Sequence, residues 1–148
     1  MTAIKFDDTY FGCFGEEKRK CECVGICIHH TATSSSKRTR SALIKKGYST
    51  HFEIEKNGNI LRYRDEQYVC QHCGSSNAKL ISIDLTHPTG SEFTKAQMSS
   101  LNELLKYLCD KWNIPFEIHE TLSGIYPHRA LSNTQCPDNL PMDEIRCD

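Results

Sequence analysis

The stretch Lys79-Leu80-Ile81-Ser82-Ile83-Asp84-Leu85-Thr86 has the clearest strand pattern in the chain. Ile81, Ile83 and Leu85 fall on one face of an extended backbone, and Ser82 and Asp84 fall on the other. The apolar face is expected to pack against a core. The polar face is free to present side chains to a functional site.

A predicted helix follows this strand in the chain. Thr94 is a favourable N-cap residue, and Gln97 three residues later completes the capping-box pattern. An apolar stripe then recurs at helical spacing, formed by Met98, Leu101, Leu105, Leu108 and Trp112. We interpret this stripe as the face that packs on the core, not as a cofactor site.

Shorter elements precede the strand. The apolar run Val24-Gly25-Ile26-Cys27-Ile28 predicts a buried strand that ends at His29-His30. Residues 37–46 predict a short helix. Residues 50–63 predict a hairpin whose tight turn is Asn57-Gly58.

The C-terminal part has weaker signals. Phe116-Glu117-Ile118 predicts a last short strand, and residues 120–148 predict an irregular tail. Strands that alternate with helices indicate the α/β class, and 148 residues fit one domain. We therefore expect a single α/β domain over residues 24–148, preceded by an irregular, polar lead-in over residues 1–23.

Composition excludes several classes of protein. The 18 basic and 19 acidic side chains nearly cancel, so a nucleic-acid partner is not expected. One basic cluster stands out, and we interpret it as a solvated helix face: Lys37, Arg38, Arg40, Lys45 and Lys46. No apolar run is long enough for a membrane span, and residues 1–10 lack a signal-peptide pattern. We expect a monomer that is made in the cytoplasm.

Nine cysteines are unusual for such a chain: Cys13, Cys21, Cys23, Cys27, Cys70, Cys73, Cys109, Cys136 and Cys147. Without a secretion signal, reduced thiols are the default. Three alternatives stay open for the cysteines outside a metal site. Cys21, Cys23, Cys70 and Cys73 together can bind a structural zinc, some thiols can pair as disulfides after release, or they can be buried and inert.

Two segments carry metal-ligand chemistry. His29 follows a predicted strand, and strand ends are frequent sites in α/β sheets. His128 and Cys136 lie eight positions apart in the predicted tail. Imidazole and thiolate both bind zinc, and three protein ligands plus a water form the pattern of a catalytic site. The spacing alone matches no short zinc motif.

Four segments carry a family resemblance. They are Ile28-His29-His30-Thr31-Ala32-Thr33, then Thr50-His51-Phe52-Glu53-Ile54 with Lys56-Asn57-Gly58-Asn59-Ile60, then His72-Cys73-Gly74 with Asn77 and Ile81–Leu85, and finally His128-Arg129 with Thr134-Gln135-Cys136-Pro137. In this order they resemble the type 2 N-acetylmuramoyl-L-alanine amidases, a family that includes short phage lysins and the peptidoglycan recognition proteins. The resemblance covers residues 24–140 and implies a central mixed β-sheet flanked by helices.

The resemblance also implies an activity and a ligand set. We expect one catalytic Zn²⁺ held by His29, His128 and Cys136, with His30 packing on the other side of the sheet. The implied reaction is hydrolysis of the amide between N-acetylmuramic acid and L-alanine of peptidoglycan. The expected partner is therefore peptidoglycan or a muropeptide, reached at the bacterial cell wall after release or export. In some relatives the third ligand is aspartate.

Three further residues receive catalytic roles from the resemblance. Asp84 occupies the position where many relatives have a proton-transferring glutamate, although it can equally be a surface aspartate. Thr134 stands where several bacterial members have a lysine, and its hydroxyl can donate a hydrogen bond to an oxyanion. His72 matches a loop histidine that can contact substrate or assist near the metal. Thr50 departs from the tyrosine of many phage-type members.

Two other functions remain open at this point. The same groove can belong to a peptidoglycan-binding module that does not cut, which the missing tyrosine at Thr50 favours weakly. A Cys-rich zinc module for protein or nucleic-acid binding would instead hold metal at the Cys21 and Cys70 pairs and none at His29. His119 is a rival to His128, without a matching Cys-Pro partner.

Overall fold

Leu80–Leu85 forms an inner strand of a mixed, six-stranded sheet. The computed structural model describes residues 4–9, 18–72, 74–118 and 124–146, and residues 74–76 by their backbone alone. The strands are β1 (Asp7–Asp8), β2 (Gly25–His30), β3 (Phe52–Ile54), β4 (Ile60–Arg62), β5 (Leu80–Leu85) and β6 (Gly124–Pro127). Their order is β1-β4-β3-β5-β2-β6. Two helices, α1 (Ser36–Lys46) and α2 (Lys95–Trp112), complete the domain, with short 3-10 helices at Gly74–Lys79, His128–Ala130 and Met142–Glu144.

Parallel pairing dominates the centre of the sheet. β5 pairs in parallel with β2 on one side and with β3 on the other. β6 pairs in parallel with the far side of β2. Among the strands of the described ranges, β3 and β4 alone pair in an antiparallel way, and their hairpin is closed by a turn in which Gly58 has a φ of 89°. Parallel neighbours align the C-terminal ends of β2, β5 and β3, which is where polar side chains gather.

One face of the sheet packs against α2. The isoleucines and leucines that alternate along β2 and β5 share a buried core with Leu101, Leu104, Leu105 and Leu108 of α2. Fully burying each such side chain stabilises the fold by about 1.5–3 kcal/mol. The predicted stripe is thus core. Within the described ranges, no helix has the length and apolar character that a membrane span requires.

The opposite face of the sheet is covered in part by α1. Ser35 caps the helix by accepting a hydrogen bond from the Arg38 backbone N–H, and Gly47 ends it in a left-handed conformation with a φ of 73°. Thr39 points from α1 to the sheet, where its hydroxyl donates to Glu53 Oε2 at 3.1 Å. The predicted arrangement, a central mixed sheet flanked by helices, is confirmed.

Two expectations about the chain ends differ from the structure. The tail predicted as irregular contributes β6, whereas Phe116–Ile118 is no strand and forms only an isolated bridge between Ile118 and Ile125. β6 is short and lacks an alternating pattern, so its pairing with β2 and not its own sequence makes it a strand. In the predicted lead-in, Asp7–Asp8 forms β1 beside β4.

Gln97 joins α2 to the C-terminal ends of β3 and β5, and we expect its replacement to destabilise the fold. Its buried amide donates to the carbonyls of Ile54 at 3.2 Å and Thr86 at 2.7 Å. Gln97→Ala removes both hydrogen bonds. The Ile54 carbonyl keeps the Thr86 N–H at 3.0 Å, but the buried Thr86 carbonyl loses the Gln97 donor, which should lower the free energy of unfolding by about 2–3 kcal/mol. Chemical denaturation measures this, with the exposed helix variant Ser99→Ala as a control that should change stability by less than about 0.5 kcal/mol. Equal stability of the two variants would contradict the role of Gln97.

Candidate functional site

The end of β2 delivers His29 to the face of the sheet that lies away from α2. Ile28 points into the core and His29, the next residue, points the opposite way, as strand alternation requires. His29 is 7% exposed. His30 turns back to the first face, where its Nε2 lies 3.2 Å from Thr89 Oγ1 and its ring is edge-on to His87. The expectation that His30 packs on the other side of the sheet from His29 agrees with this geometry.

His128 reaches the same place from the neighbouring strand. It follows β6 directly, and β6 is in register with β2 so that Ile28 lies beside Pro127. The rings of His29 and His128 are therefore close, with centroids 4.5 Å apart. β6, which was not predicted from the sequence, is therefore the element that brings His128 to His29.

Cys136 lies in a loop that folds back onto the end of β2. The Arg129 N–H donates to the Cys136 carbonyl at 2.8 Å, which closes the loop. The His30 N–H donates to the Cys136 sulfur at 3.2 Å, which fixes the thiol beside β2. One ligand atom each from His29, His128 and Cys136 lies within 4.8 Å of the others. This is about twice a zinc–ligand bond of ~2.0–2.3 Å, so these side chains form a possible metal site.

A second group of potential ligands shares His29. Cys27, His29 and His72 also offer atoms within 4.8 Å of one another, and His72 Nδ1 lies 3.1 Å from His29 Nε2. The other ring nitrogen of His72 is buried without a hydrogen-bond partner among the described residues. The two groups differ in access. Cys136 and His128 line a cavity beside His29, whereas Cys27 does not. All three members of the first group therefore face the cavity, which is the arrangement that leaves a coordination position open to substrate.

Burial keeps the ligand candidates uncharged. The pKa of His29 lies well below its usual value, because of burial first and the charges of His128 and His30 second. Burial also lowers the pKa of His128. It raises the pKa of the Cys136 thiol to about 12, although the His30 backbone hydrogen bond opposes this. Neutral imidazole is the form that binds metal, and a bound cation would deprotonate the thiol. The donor set thus fits zinc.

A row of polar side chains crosses the sheet at the level of His29. Asp84 of β5 pairs in register with His29 on one side and with Glu53 of β3 on the other. Asp84 is 7% exposed, which excludes the alternative of a surface aspartate. Its pKa is well above the usual value, chiefly through burial and then through the charge of Glu53, while a hydrogen bond from Thr50 acts the other way. A carboxyl with a raised pKa suits proton transfer near neutral pH.

Glu53, the neighbour of Asp84 in β3, is fully buried, and its place beside the site was not predicted from the sequence. Three hydroxyl groups contact its carboxylate. They are Tyr63 at 2.6 Å, Thr39 at 3.1 Å, and Thr86 in a short contact. A glutamate that alternates with Phe52 and Ile54 in a short strand is the signal that points to a buried polar face. Glu53 does not line the cavity, so it acts on the site through Asp84.

The cavity beside His29 measures about 280 Å³. Its floor is the row of His29 and Asp84, and its wall includes α1 and the segment after it: Thr39, Ala42, Leu43, Lys46, Tyr48, Ser49 and Thr50. His72 also lines it. Thr134 is not among its described lining residues. Its Oγ1 accepts the Cys136 N–H at 3.2 Å, which leaves the hydroxyl hydrogen available to another acceptor.

Other candidates for a metal site fall outside this cluster. Within the described part of the chain, the only groups of three potential ligands are the two that contain His29, so Cys21, Cys23 and Cys70 form none. Cys73 and His119 lie outside the described residues. A zinc module that also uses Cys73 is therefore not tested by the described residues.

Known proteins share the sequence pattern and the fold of this chain. The sequence matches the N-acetylmuramoyl-L-alanine amidase family over residues 20–139. No curated protein sequence gives a significant match. The structure is similar to N-acetylmuramoyl-L-alanine amidase LysC from Clostridium intestinale URNW, with 26% identity, a TM-score of 0.81, and coverage of 97% of this chain and 95% of that one.

Two further solved structures share the fold. The endolysin N-acetylmuramoyl-L-alanine amidase LysCS from Clostridium intestinale URNW is 27% identical, with a TM-score of 0.79 and coverage of 95% of this chain and 92% of that chain. The Ph2119 endolysin from the Thermus scotoductus MAT2119 bacteriophage Ph2119 is 16% identical, with a TM-score of 0.71 and coverage of 87% and 86%, and shows likeness of fold alone. The family match spans most of the chain, and the chain therefore belongs to the N-acetylmuramoyl-L-alanine amidase family.

Proposed function

We propose that this amidase hydrolyses the bond between N-acetylmuramic acid and L-alanine with one zinc ion held by His29, His128 and Cys136. The observation that carries the proposal is the meeting of these three side chains, from β2, the end of β6 and the following loop, at an open cavity. Zinc held there would polarise the scissile carbonyl and lower the pKa of a water molecule. The family match over residues 20–139 supports most of the proposed amidase domain, residues 24–148, and β1 adds Asp7–Asp8 of the lead-in 1–23 to the same sheet.

Asp84 is our candidate for the proton-transfer residue. It lines the cavity next to His29, and burial raises its pKa. It takes a proton from the attacking water and passes it to the leaving amine of L-alanine, as a general base and then a general acid. Ser82 precedes Asp84 by two residues on β5, and its hydroxyl oxygen lies 2.7 Å from that of Thr50. Thr50 also hydrogen-bonds the Asp84 carboxyl group and orients it.

His72 and Thr134 have supporting roles in this proposal. His72 hydrogen-bonds His29 and borders the cavity, so it fixes the ring orientation of a ligand and can contact substrate. Thr134 is held beside Cys136 and can donate its hydroxyl hydrogen to the developing oxyanion. A threonine lacks the charge of a lysine there, so we expect a smaller contribution from it.

Release of stem peptide from purified peptidoglycan tests the proposed function. The enzyme should liberate new L-alanine amino termini, and stripping its metal with a chelator should reduce this rate to background. Added zinc should restore it. Two results would count against the proposal. One is hydrolysis that persists in protein shown to be free of metal, and the other is binding of the wall without release, as a recognition module would show.

A further inference from the structure

Asp138 connects the loop that carries Cys136 to the loop that follows β5. Its Oδ2 lies 2.9 Å from Nε2 of His87, and the same oxygen accepts the Gly90 N–H at 2.8 Å. His87 is fully buried. Asp138 stands two residues after Cys136, so these contacts fix the loop close to the thiol.

His87 is itself held rigidly. Its ring stacks on Phe93 with centroids 3.7 Å apart and an interplanar angle of 7°. Its Nδ1 lies 3.2 Å from the Ser91 hydroxyl oxygen, and that hydroxyl donates to the Pro88 carbonyl at 2.7 Å. The partner of Asp138 therefore cannot swing without breaking the packing of the whole 87–93 segment.

His87 also contacts the segment that carries the first ligand. Its backbone N–H donates to Thr31 Oγ1 at 3.1 Å, and its ring lies 5.7 Å from that of His30. His30 and Thr31 are the two residues that follow His29 in the chain. One buried histidine thus touches the end of β2 on one side and the Cys136 loop on the other.

The loop transmits this anchoring to its ligands. The Asp138 N–H donates to the Gln135 carbonyl at 2.8 Å, and the Arg129 guanidinium donates to the Asp138 carbonyl at 3.3 Å. Arg129 also donates its backbone N–H to the Cys136 carbonyl at 2.8 Å. A shift of Asp138 would therefore move Cys136 and the neighbour of His128 together.

We propose that His87 and Asp138 form a positioning clamp that holds the Cys136 thiol within reach of His29 before the metal binds. The inference rests on the metal site proposed above. Neither residue touches the metal or the substrate in this proposal. The clamp excludes conformations of the loop in which Cys136 points away from His29. Zinc binding therefore loses less conformational entropy of the loop, and the affinity for zinc is higher.

Zinc affinity, measured by competition with a chromogenic chelator, tests the clamp. Asp138 has a φ of 62°, so Asp138→Gly deletes the carboxylate without adding backbone strain. We expect this variant to bind zinc about tenfold more weakly and to regain amidase activity when zinc is added in excess. Asp138→Asn retains hydrogen-bonding groups for Gly90 and His87 and should lose clearly less. Asp8→Gly, which removes an ion pair with Arg62 near the opposite edge of the sheet, should bind as wild type.

Wild-type zinc affinity in Asp138→Gly would overturn the clamp. If that variant does not fold, His87→Phe decides, because it keeps a ring on Phe93 and removes both ring nitrogens. It should weaken zinc binding similarly, and unchanged affinity would overturn the clamp as well. Failure of the clamp and failure of the proposed metal site give different results. If Cys136 is not a zinc ligand, Cys136→Ala retains zinc, whereas if only the clamp is wrong, Cys136→Ala loses zinc and Asp138→Gly binds it as wild type does.

Discussion

Cys136→Ala is expected to leave a folded protein that retains no zinc and releases stem peptide at least about 1,000-fold more slowly. Two histidines remain, and a third ligand is needed to complete a catalytic zinc site. A Lewis-acid metal supplies several kcal/mol of transition-state stabilisation, and each 1.36 kcal/mol is a factor of ten in rate. Metal content after gel filtration and the rate of appearance of L-alanine amino termini measure the two effects.

Two matched variants give this prediction its specificity. Cys136→Asp keeps a zinc ligand, since carboxylate oxygen binds the ion at a similar distance, and should retain metal and part of the activity. Cys27→Ala removes the thiol of the second candidate group, which lies within 4.8 Å of His29 and His72 but not at the cavity. It should keep both zinc and activity. If Cys27→Ala loses zinc and Cys136→Ala keeps it, the metal is bound by Cys27, His29 and His72, and our assignment is wrong.

The elements that could be predicted are those with a local signal. The β5 pattern and the capping box of α2 are complete within a few residues, and both occur in the structure. The hairpin turn at Asn57-Gly58 is equally local. β6 and β1 are strands because of distant partners, β2 and β4 respectively, and a single sequence carries no record of that pairing.

The candidate site divides in the same way. His29, His128 and Cys136 follow from resemblance to a family, and the structure brings them together, although spacing alone matched no motif. The environment of Asp84 did not follow, because its burial depends on the packing of α1 and of neighbouring strands. Contacts such as that of His87 with Asp138, 51 residues apart in the chain, have no local signature at all.

Asp84→Asn is expected to lower kcat by about 100- to 10,000-fold while zinc content and KM stay near the wild-type values. The amide has the size of the carboxyl group, and its oxygen can still accept the hydrogen bond from Thr50, but it cannot take up a proton. General acid–base catalysis supplies a factor of this size, whereas binding of the metal and substrate does not depend on proton transfer. Steady-state kinetics on soluble muropeptides separate kcat from KM.

Glu53→Gln is the matched control, since it makes the same chemical change in the neighbouring strand. Glu53 lies beside Asp84 in register but does not line the cavity, and hydroxyl groups surround its carboxylate. Its kcat should stay within about tenfold of wild type, because it influences Asp84 only through charge. A large loss in Glu53→Gln with near-normal turnover in Asp84→Asn would reverse the assignment. Glu53 would then be the proton-transfer residue, and Asp84 would not be.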